Sequence, residues 1–508
     1  MSKDRPKHLP LRLDRASPAP LHRQICARLR AAITDGHLRP GERLPSARAL
    51  AVQLGVARGT IDAAYAELAG EGWIIARGPA GTTVAALDDV RARSSLRSGA
   101  SKGRVPGARL RGGEAQESLV AASSRISHAG LAHPAPRLFQ MGLPALDAFP
   151  RKLWARLTAR AARMSAAAHL AYPDPAGDAD LREAIAAYLV VSRGIACRPG
   201  QIFVTAGYQG ALALVARTLL QPGDAVWFED PGYHLARRSL MDAGARLVAV
   251  PVDAEGLDVA EGRARAPQAR LAVVTPAHQA PLGVALSLPR RLALLAWAAE
   301  AGALVVEDDY DGEFHYVGRP LPALKSLDGG DVVIYAGSFS KVLFPALRLG
   351  YLVVPERWAG RFAAAAHALS NGTPRLEQAV VARFMSEGHF ARHLRRMRTL
   401  YAARRQSLAA ALAAAFGSSL TLRLQSGGMH LIAAIGHESP LRETVPVDAQ
   451  LAARAQEAGI AVTALSSEAI ARDDLDALLL GFTNIAERDA VQACCRLARA
   501  LASPSRSA

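Results

Sequence analysis

The sequence predicts a multidomain protein of α and β structure, with an N-terminal winged helix–turn–helix followed by a C-terminal α/β body. Three observations predict it. The 508 residues are too many for one ordinary domain, and half are hydrophobic, enough to bury a sizeable core. Helix start and stop signals crowd residues 18–84 and then give way to an Arg-, Ser- and Gly-rich stretch without sustained periodicity. From about residue 138, near-continuous apolar strand candidates alternate with helical stretches, the pattern of a mostly parallel sheet covered on both faces. The expected divisions are a tail (1–17), a helical head (18–84), a basic flexible linker (85–137), the body (138–500) and a second tail (501–508).

Charge follows the same divisions. Residues 1–137 carry 22 Lys+Arg against 11 Asp+Glu, whereas residues 138–508 carry 39 against 34. A basic excess gathered in the first quarter of the chain points to a polyanionic partner there. The four cysteines, Cys26, Cys197, Cys494 and Cys495, have no metal-ligand spacing and read as free thiols of a reducing compartment. The charged N-terminus lacks an apolar signal core, and no run of about 18 apolar residues interrupts the chain. A cytoplasmic protein with no membrane partner is expected.

In the head, Leu21, Ile25, Leu29 and Ile33 recur every four residues and mark one helix face. "LRPGERLPS" reads as a turn-rich connector. Ser46 caps a short helix that Gly55 closes, and a second helix follows at once from Arg58. "WIIARGPAGTTV" reads as strand, glycine turn and strand. In such an order the second helix of the pair enters the major groove of double-stranded DNA with its first residues near base edges. Those residues are Arg58, Gly59 and Thr60. Arg48 is placed to clamp the backbone, Ser46 lies beside it, and Arg77 and Gly78 sit on the hairpin.

The body's polar motifs fall at the ends of its strand candidates, where ligands gather in sheets of this kind. "SFSKVLFPALRLGY" holds Lys341 three residues after Ser338 and seven before Arg348. A lysine so placed suits a Schiff base, most often with pyridoxal 5′-phosphate. That cofactor also needs a phosphate cradle, a carboxylate at its pyridine nitrogen, a donor at its phenolic oxygen and a platform for its ring. Ser338, Ser340 and Arg348 suit the phosphate, as do Gly207, Tyr208 and Gln209 at the start of a helix. Asp308 and Tyr310 of "EDDYDGEF" suit the nitrogen and the phenolic oxygen. Tyr233 of "FEDPGYH" offers a stacking plate, and "TPAHQAPLG" places His278 and Gln279 at another strand end. Each motif alone is weak, because a lone loop lysine is usually a surface lysine and an isolated tyrosine is usually packing. Their common placement at strand ends carries the reading.

"LPSARALAVQLGVARGTIDAAYAELAGEGWIIARGPAGTTV" resembles the winged helix of GntR-type transcription regulators. One departure is Ala57, where that family usually places a serine before the arginine; losing such a cap costs about 1 kcal/mol locally. "FPRKLW", "YPDPAGDADLREAIAAYL", "TPAHQAPLG", "EDDYDGEF" and "SFSKVLFPALRLGY" resemble fold-type-I, aspartate-aminotransferase-like proteins of the MocR/GabR subgroup. The resemblance implies Lys341 as the Schiff-base lysine, Asp308 at the ring nitrogen, Tyr310 at the phenolic oxygen, and Arg348 and Ser338 near the phosphate. It also implies a homodimer and a regulator in which pyridoxal phosphate, or an amino compound exchanging onto it, alters operator binding by sensing rather than turnover. The rival expectation is a working aminotransferase with an accessory DNA-binding module. Against turnover stands "ALLLGFTNI", where the resemblance leads one to seek a carboxylate-binding arginine and the chain has Leu478, Leu479 and Leu480.

Overall fold

The computed structural model describes residues 13–15, 20–34, 37–70, 73–76, 81–85, 135–317, 322–329, 331–370, 372–436, 439, 441 and 447–502. In the head, α1 (Leu21–Thr34) buries Ile25, Leu29 and Ile33, so the four-residue spacing becomes one inward face. That face packs on α3 (Arg58–Gly70), which contributes Ile61, Ala64 and Leu68. Between them, α2 (Ala47–Leu54) begins where the Ser46 hydroxyl accepts the Ala49 N–H at 3.2 Å. It ends at Gly55, whose φ of 62° is the left-handed conformation that glycine adopts without strain. Strands β1 (Ile74–Ala76) and β2 (Thr82–Val84) pair antiparallel, with Ile74 opposite Val84.

The connector before α2 is more than a turn. Arg43 bridges to Thr83, the Gly41 N–H donates to Val84, and the Leu44 N–H donates to Thr82. This segment lies along the hairpin as a third edge. "LRPGERLPS" has too much proline and glycine to read as a strand, and the pairing arises because the hairpin offers it an open edge.

In the body, α4 (Arg151–Arg163) and α5 (Ala179–Arg193) precede β3 (Ile202–Thr205) and α6 (Gly207–Leu219). There follow β4 (Ala225–Asp230), α7 (His234–Asp242), β5 (Arg246–Asp253), β6 (Gly256–Leu257), α8 (Val259–Arg265) and β7 (Leu271–Val274). Then come α9 (Leu288–Ala301), β8 (Leu304–Asp309), β9 (Val333–Ser338) and β10 (Gly350–Val353). These strands form a sheet of order β3-β10-β9-β8-β7-β4-β5-β6. Strands β9, β8, β7, β4 and β5 run parallel; β9, β8, β7 and β4 are buried almost throughout, as strands covered on both faces are, whereas β5 alternates buried and half-buried positions. Strand β10 is antiparallel to both neighbours, a reversal that its apolar composition did not announce. Beneath the sheet Trp227 and Trp297 stack at 3.6 Å, each indole N–H donating to a backbone carbonyl.

The chain continues through α10 (Ala359–Ser370), α11 (Arg375–Ser386) and the 28-residue α12 (His389–Phe416). It ends in β11 (Leu420–Arg423), β12 (His430–Ile435), α13 (Val447–Glu457), β13 (Thr463–Ala464), β14 (Ala477–Gly481) and α14 (Ala490–Ala502). The strands make a second, antiparallel sheet of order β11-β12-β14-β13. Leu478 and Leu480 join one apolar cluster and Leu479 the other, as the two-residue period of a strand requires.

Candidate functional site

Strand register assembles one end of the body's site. Gly350 of β10 lies opposite Thr205 of β3 on one side and Ser338 of β9 on the other. The segments leaving β3 and β9 and the one entering β10 therefore converge. Gly207 opens α6 with a φ of 72°, and a Cβ built on it would stand 3.7 Å from the Arg348 guanidinium. Arg348 itself is left-handed, with a φ of 50°. Ser338 Oγ accepts the Ser340 N–H at 3.2 Å. The first-turn N–H groups of α6, including those of Tyr208 and Gln209, have no partner within the helix. A helix N-terminus, hydroxyls and a guanidinium together make an anion cradle.

Asp308, near the end of β8, is buried beside the Tyr208 phenol. Burial raises its proton affinity well above the usual carboxylate range, and Asp309, Glu229 and Asp311 add repulsion that the Tyr208 hydroxyl only partly offsets. Such a carboxyl favours a cationic partner. Lys341 follows β9 and donates from Nζ to the Gly142 carbonyl at 3.1 Å. Burial lowers its pKa against the attraction of Asp311 and Asp308, which leaves more neutral amine for nucleophilic chemistry. Gly142 permits this approach, since a Cβ there would lie 2.1 Å from Nζ.

The Tyr310 hydroxyl lies 3.0 Å from Nδ1 of His278. The Tyr233 and Tyr208 ring centroids are 6.5 Å apart with a 35° tilt. Gln279 is committed to its own turn and to the end of β4: Nε2 donates to Glu229 and to the Pro231 and Ala280 carbonyls, and Oε1 accepts the Leu282 N–H. Glu229 also accepts from the Thr275 backbone N–H and hydroxyl. Burial nevertheless pushes its pKa up to about 7.

The structure thus brings Gly207, Ser338 and Arg348 to one end, and Lys341, Asp308, Tyr310 and His278 toward the other. Gln209 is exposed. Three residues beside the predicted ones were missed in the sequence: Gly142, Glu229 and Asp311. Glu229 and Asp311 stand inside "FEDPGYH" and "EDDYDGEF", so adjacency to the chosen residues was the available signal. Gly142 comes from a segment with no motif, and only folding places it here. Strand β14 holds no arginine, and Leu479 packs with Ile432, Leu465 and Leu475.

In the head, Arg48, Arg58 and Gly59 are exposed and Thr60 is half-buried. Arg58 makes a 3.4 Å ion pair with Asp62 one turn on, with both side chains largely in solvent. Ser46 is occupied as the cap of α2. Arg77 and Gly78 lie outside the described residues. Among the described residues no His, Cys, Asp and Glu cluster suits a metal ion, and no helix is long and apolar enough to cross a membrane.

Residues 21–84 match the family of bacterial regulatory proteins of the gntR type, and residues 149–475 match aminotransferase class I and II. The chain is 42% identical over 424 residues to the probable rhizopine catabolism regulatory protein MocR of Rhizobium meliloti, covering 83% of each chain. It is 39% identical to the HTH-type transcriptional regulator TauR of Rhodobacter capsulatus, over 76% of this chain and 79% of that one. It is 33% identical to the pyridoxine biosynthesis regulator PdxR of Corynebacterium glutamicum, over 90% and 91%. Among solved structures, kynurenine aminotransferase of Pyrococcus horikoshii matches with a TM-score of 0.64 and 26% identity, over 82% of this chain and 98% of that one. The α-aminoadipate aminotransferase LysN of Thermus thermophilus, solved with N-(5′-phosphopyridoxyl)-L-leucine, matches with a TM-score of 0.64 and 29% identity, over 75% and 98%.

Proposed function

The chain belongs to the MocR/GabR-type transcription regulators, a GntR-family head joined to an aminotransferase class I and II body, and from that premise we propose how its two parts work together. It is a pyridoxal-phosphate-dependent, DNA-binding regulator. The cofactor is held in the body, the head grips operator DNA, and occupancy of the body changes that grip.

When bound, pyridoxal phosphate supplies an aldehyde for an amino group and a ring that withdraws electrons. The residues present fit it. Lys341 offers a half-buried amine of lowered basicity, and Asp308 offers a buried carboxyl that gains from a cation opposite. Gly207, Ser338 and Arg348 would hold the phosphate, and Tyr310 would donate to the phenolic oxygen. Tyr233 and Tyr208 would flank the ring. In the head, Arg58, Gly59 and Thr60 would read base edges, and Arg48 would hold a phosphate.

Regulation requires only that a ligand bind two arrangements of the protein unequally. Residues 85–137 would tether the head to the body. Two copies would bring two heads to paired half-sites. A homodimer is part of this proposal.

The observation that carries the reading is the half-buried Lys341, acted on by the buried Asp308, in a chain that also has a GntR-type head. The test is a mobility shift on the DNA upstream of the protein's own gene, with and without pyridoxal phosphate. The parent protein is expected to shift differently when the cofactor is added. Lys341→Ala is expected to bind the DNA but lose the response. DNA binding indifferent to the cofactor in both proteins overturns the proposal.

A further inference from the structure

We propose that the body grips DNA as well as the head: two cationic stripes, one along α4 and one at the start of α12, hold phosphates of the duplex beside the operator. The inference rests on the reading that the head binds DNA, and it adds a second contact surface on the body.

Lys152, Arg156, Arg160 and Arg163 follow one another at helical spacing and share one exposed flank of α4. Arg392, Arg395 and Arg396 do the same on α12, where with Thr399, Ala403 and Glu487 they line an open groove of about 540 Å³. The stripes meet at Glu387, just before α12. Its Oε1 accepts from Arg160 at 3.0 Å, and its backbone carbonyl accepts from Arg392 at 3.2 Å. Aromatic packing fixes the two helices as one platform: Phe149 meets His393 at 5.9 Å and Trp154 meets Phe384 at 5.8 Å between ring centroids.

The charge on this platform is not balanced. Neither α4 nor α12 contains an acidic residue, and Lys152 and Arg392 stand in first turns, where the helix dipole opposes a cation. Like charges three and four residues apart destabilise a helix further. Elsewhere in the body Arg182, Arg193, Arg263, Arg265 and Arg472 each hold a carboxylate at 2.5–2.9 Å. Of the seven cations in the two stripes, Arg160 alone reaches a carboxylate among the described residues. Against Glu387 and Glu487 they leave an excess of five, equal to that of residues 138–508 as a whole, with 39 Lys+Arg and 34 Asp+Glu.

Guanidinium groups fit phosphate oxygens in pairs. From Lys152 to Arg163 the α4 stripe runs about 16 Å, over which one strand of duplex presents about five phosphates. The outer face of α4 between these cations is Ala155, Ala159 and Ala162. It offers no aromatic plate for an unstacked base and no large apolar side chain to enter a lipid layer, so the surface suits the backbone of a duplex. Covalent linkage to a DNA-binding head puts that duplex at high local concentration.

The test uses full-length protein loaded with pyridoxal phosphate and two nested duplexes from the DNA upstream of its gene. One is the shortest that still binds; the other extends it on each side by about 30 base pairs, about 100 Å. The parent is expected to bind the extended duplex severalfold more tightly. Arg395→Gln with Arg396→Gln should remove most of that gain and make log K less steep in log salt by about 2 per chain. Binding of the short duplex and the absorption of the bound cofactor should stay as they were. Glu387→Gln, which removes the carboxylate shared by the stripes, should tighten the extended duplex, a change that misfolding does not produce. Equal affinity of the parent for both duplexes, or variants that move both alike or neither, overturns the proposal. So does a double variant that keeps the extended duplex but loses binding to phosphatidylserine vesicles, which would assign the surface to a membrane. A parent that binds neither duplex sinks the regulator reading as well; one that gains nothing from the extension sinks this inference alone.

Discussion

Nε of Arg193, on the last turn of α5, lies 2.5 Å from Oδ2 of Asp309, the residue beside Asp308. The same guanidinium reaches Glu313 at 3.0 Å, and the Tyr335 hydroxyl donates to Asp309 at 2.6 Å. All three charged groups are buried. The two carboxylates raise the affinity of Arg193 for its proton despite burial. A helix outside the sheet thus anchors the segment that carries Asp308, Tyr310 and Asp311.

Removing that anchor strands two buried carboxylates. Arg193→Ala is expected to destabilise the body by about 3–5 kcal/mol, the usual cost of breaking a buried pair from one side. Denaturant unfolding followed by tryptophan fluorescence measures it. A loss below about 1 kcal/mol would mean that the network contributes little, as surface pairs do.

Arg58→Ala addresses the head alone. Its pair with Asp62 is exposed and adds little to stability. Operator affinity is expected to fall by about 1–3 kcal/mol, the worth of a base-edge arginine contact. The absorption of the bound cofactor should stay as it was. Quantitative mobility shifts and a spectrum on one preparation give both answers, and equal losses in both would contradict independent roles for head and body.

Ser46→Ala removes the hydroxyl that caps α2 and leaves the Ala49 N–H without its partner. The expected cost is about 1 kcal/mol in the stability of the head. Circular dichroism melts of parent and variant show it as an earlier head transition. An unchanged melt with weakened DNA binding would instead make Ser46 a phosphate contact.

Glu229 makes stability depend on pH. Its folded pKa stands near 7, above the ordinary 4.5, because burial disfavours the charge more than Thr275 and Gln279 support it. The folded protein therefore holds this proton over a range where the unfolded chain has released it. The contribution is fully present below pH 4.5 and is lost as pH rises to about 7. Glu229→Gln should flatten the unfolding free energy across that window, as read from denaturant midpoints at several pH values. A slope identical to the parent's would place the titration elsewhere.

Helix spacing, caps and the glycine after α2 made the head legible, because each is a local matter decided within a few residues. The alternation of apolar runs and helices did the same for the α/β body, and Lys341, Asp308 and Tyr310 stood out as candidates because chemistry-bearing residues fall at strand ends. Other features were settled only in three dimensions. The third edge at Gly41–Leu44, the reversed direction of β10 and the antiparallel second sheet depend on what each strand finds beside it. Gly142 meets Lys341 across 199 positions, and His234 meets Glu468 across 234. Local sequence sets which way a backbone bends and which face is apolar. Which distant side chains share a buried space follows from packing and charge pairing across the whole body, and no short stretch of sequence contains that information.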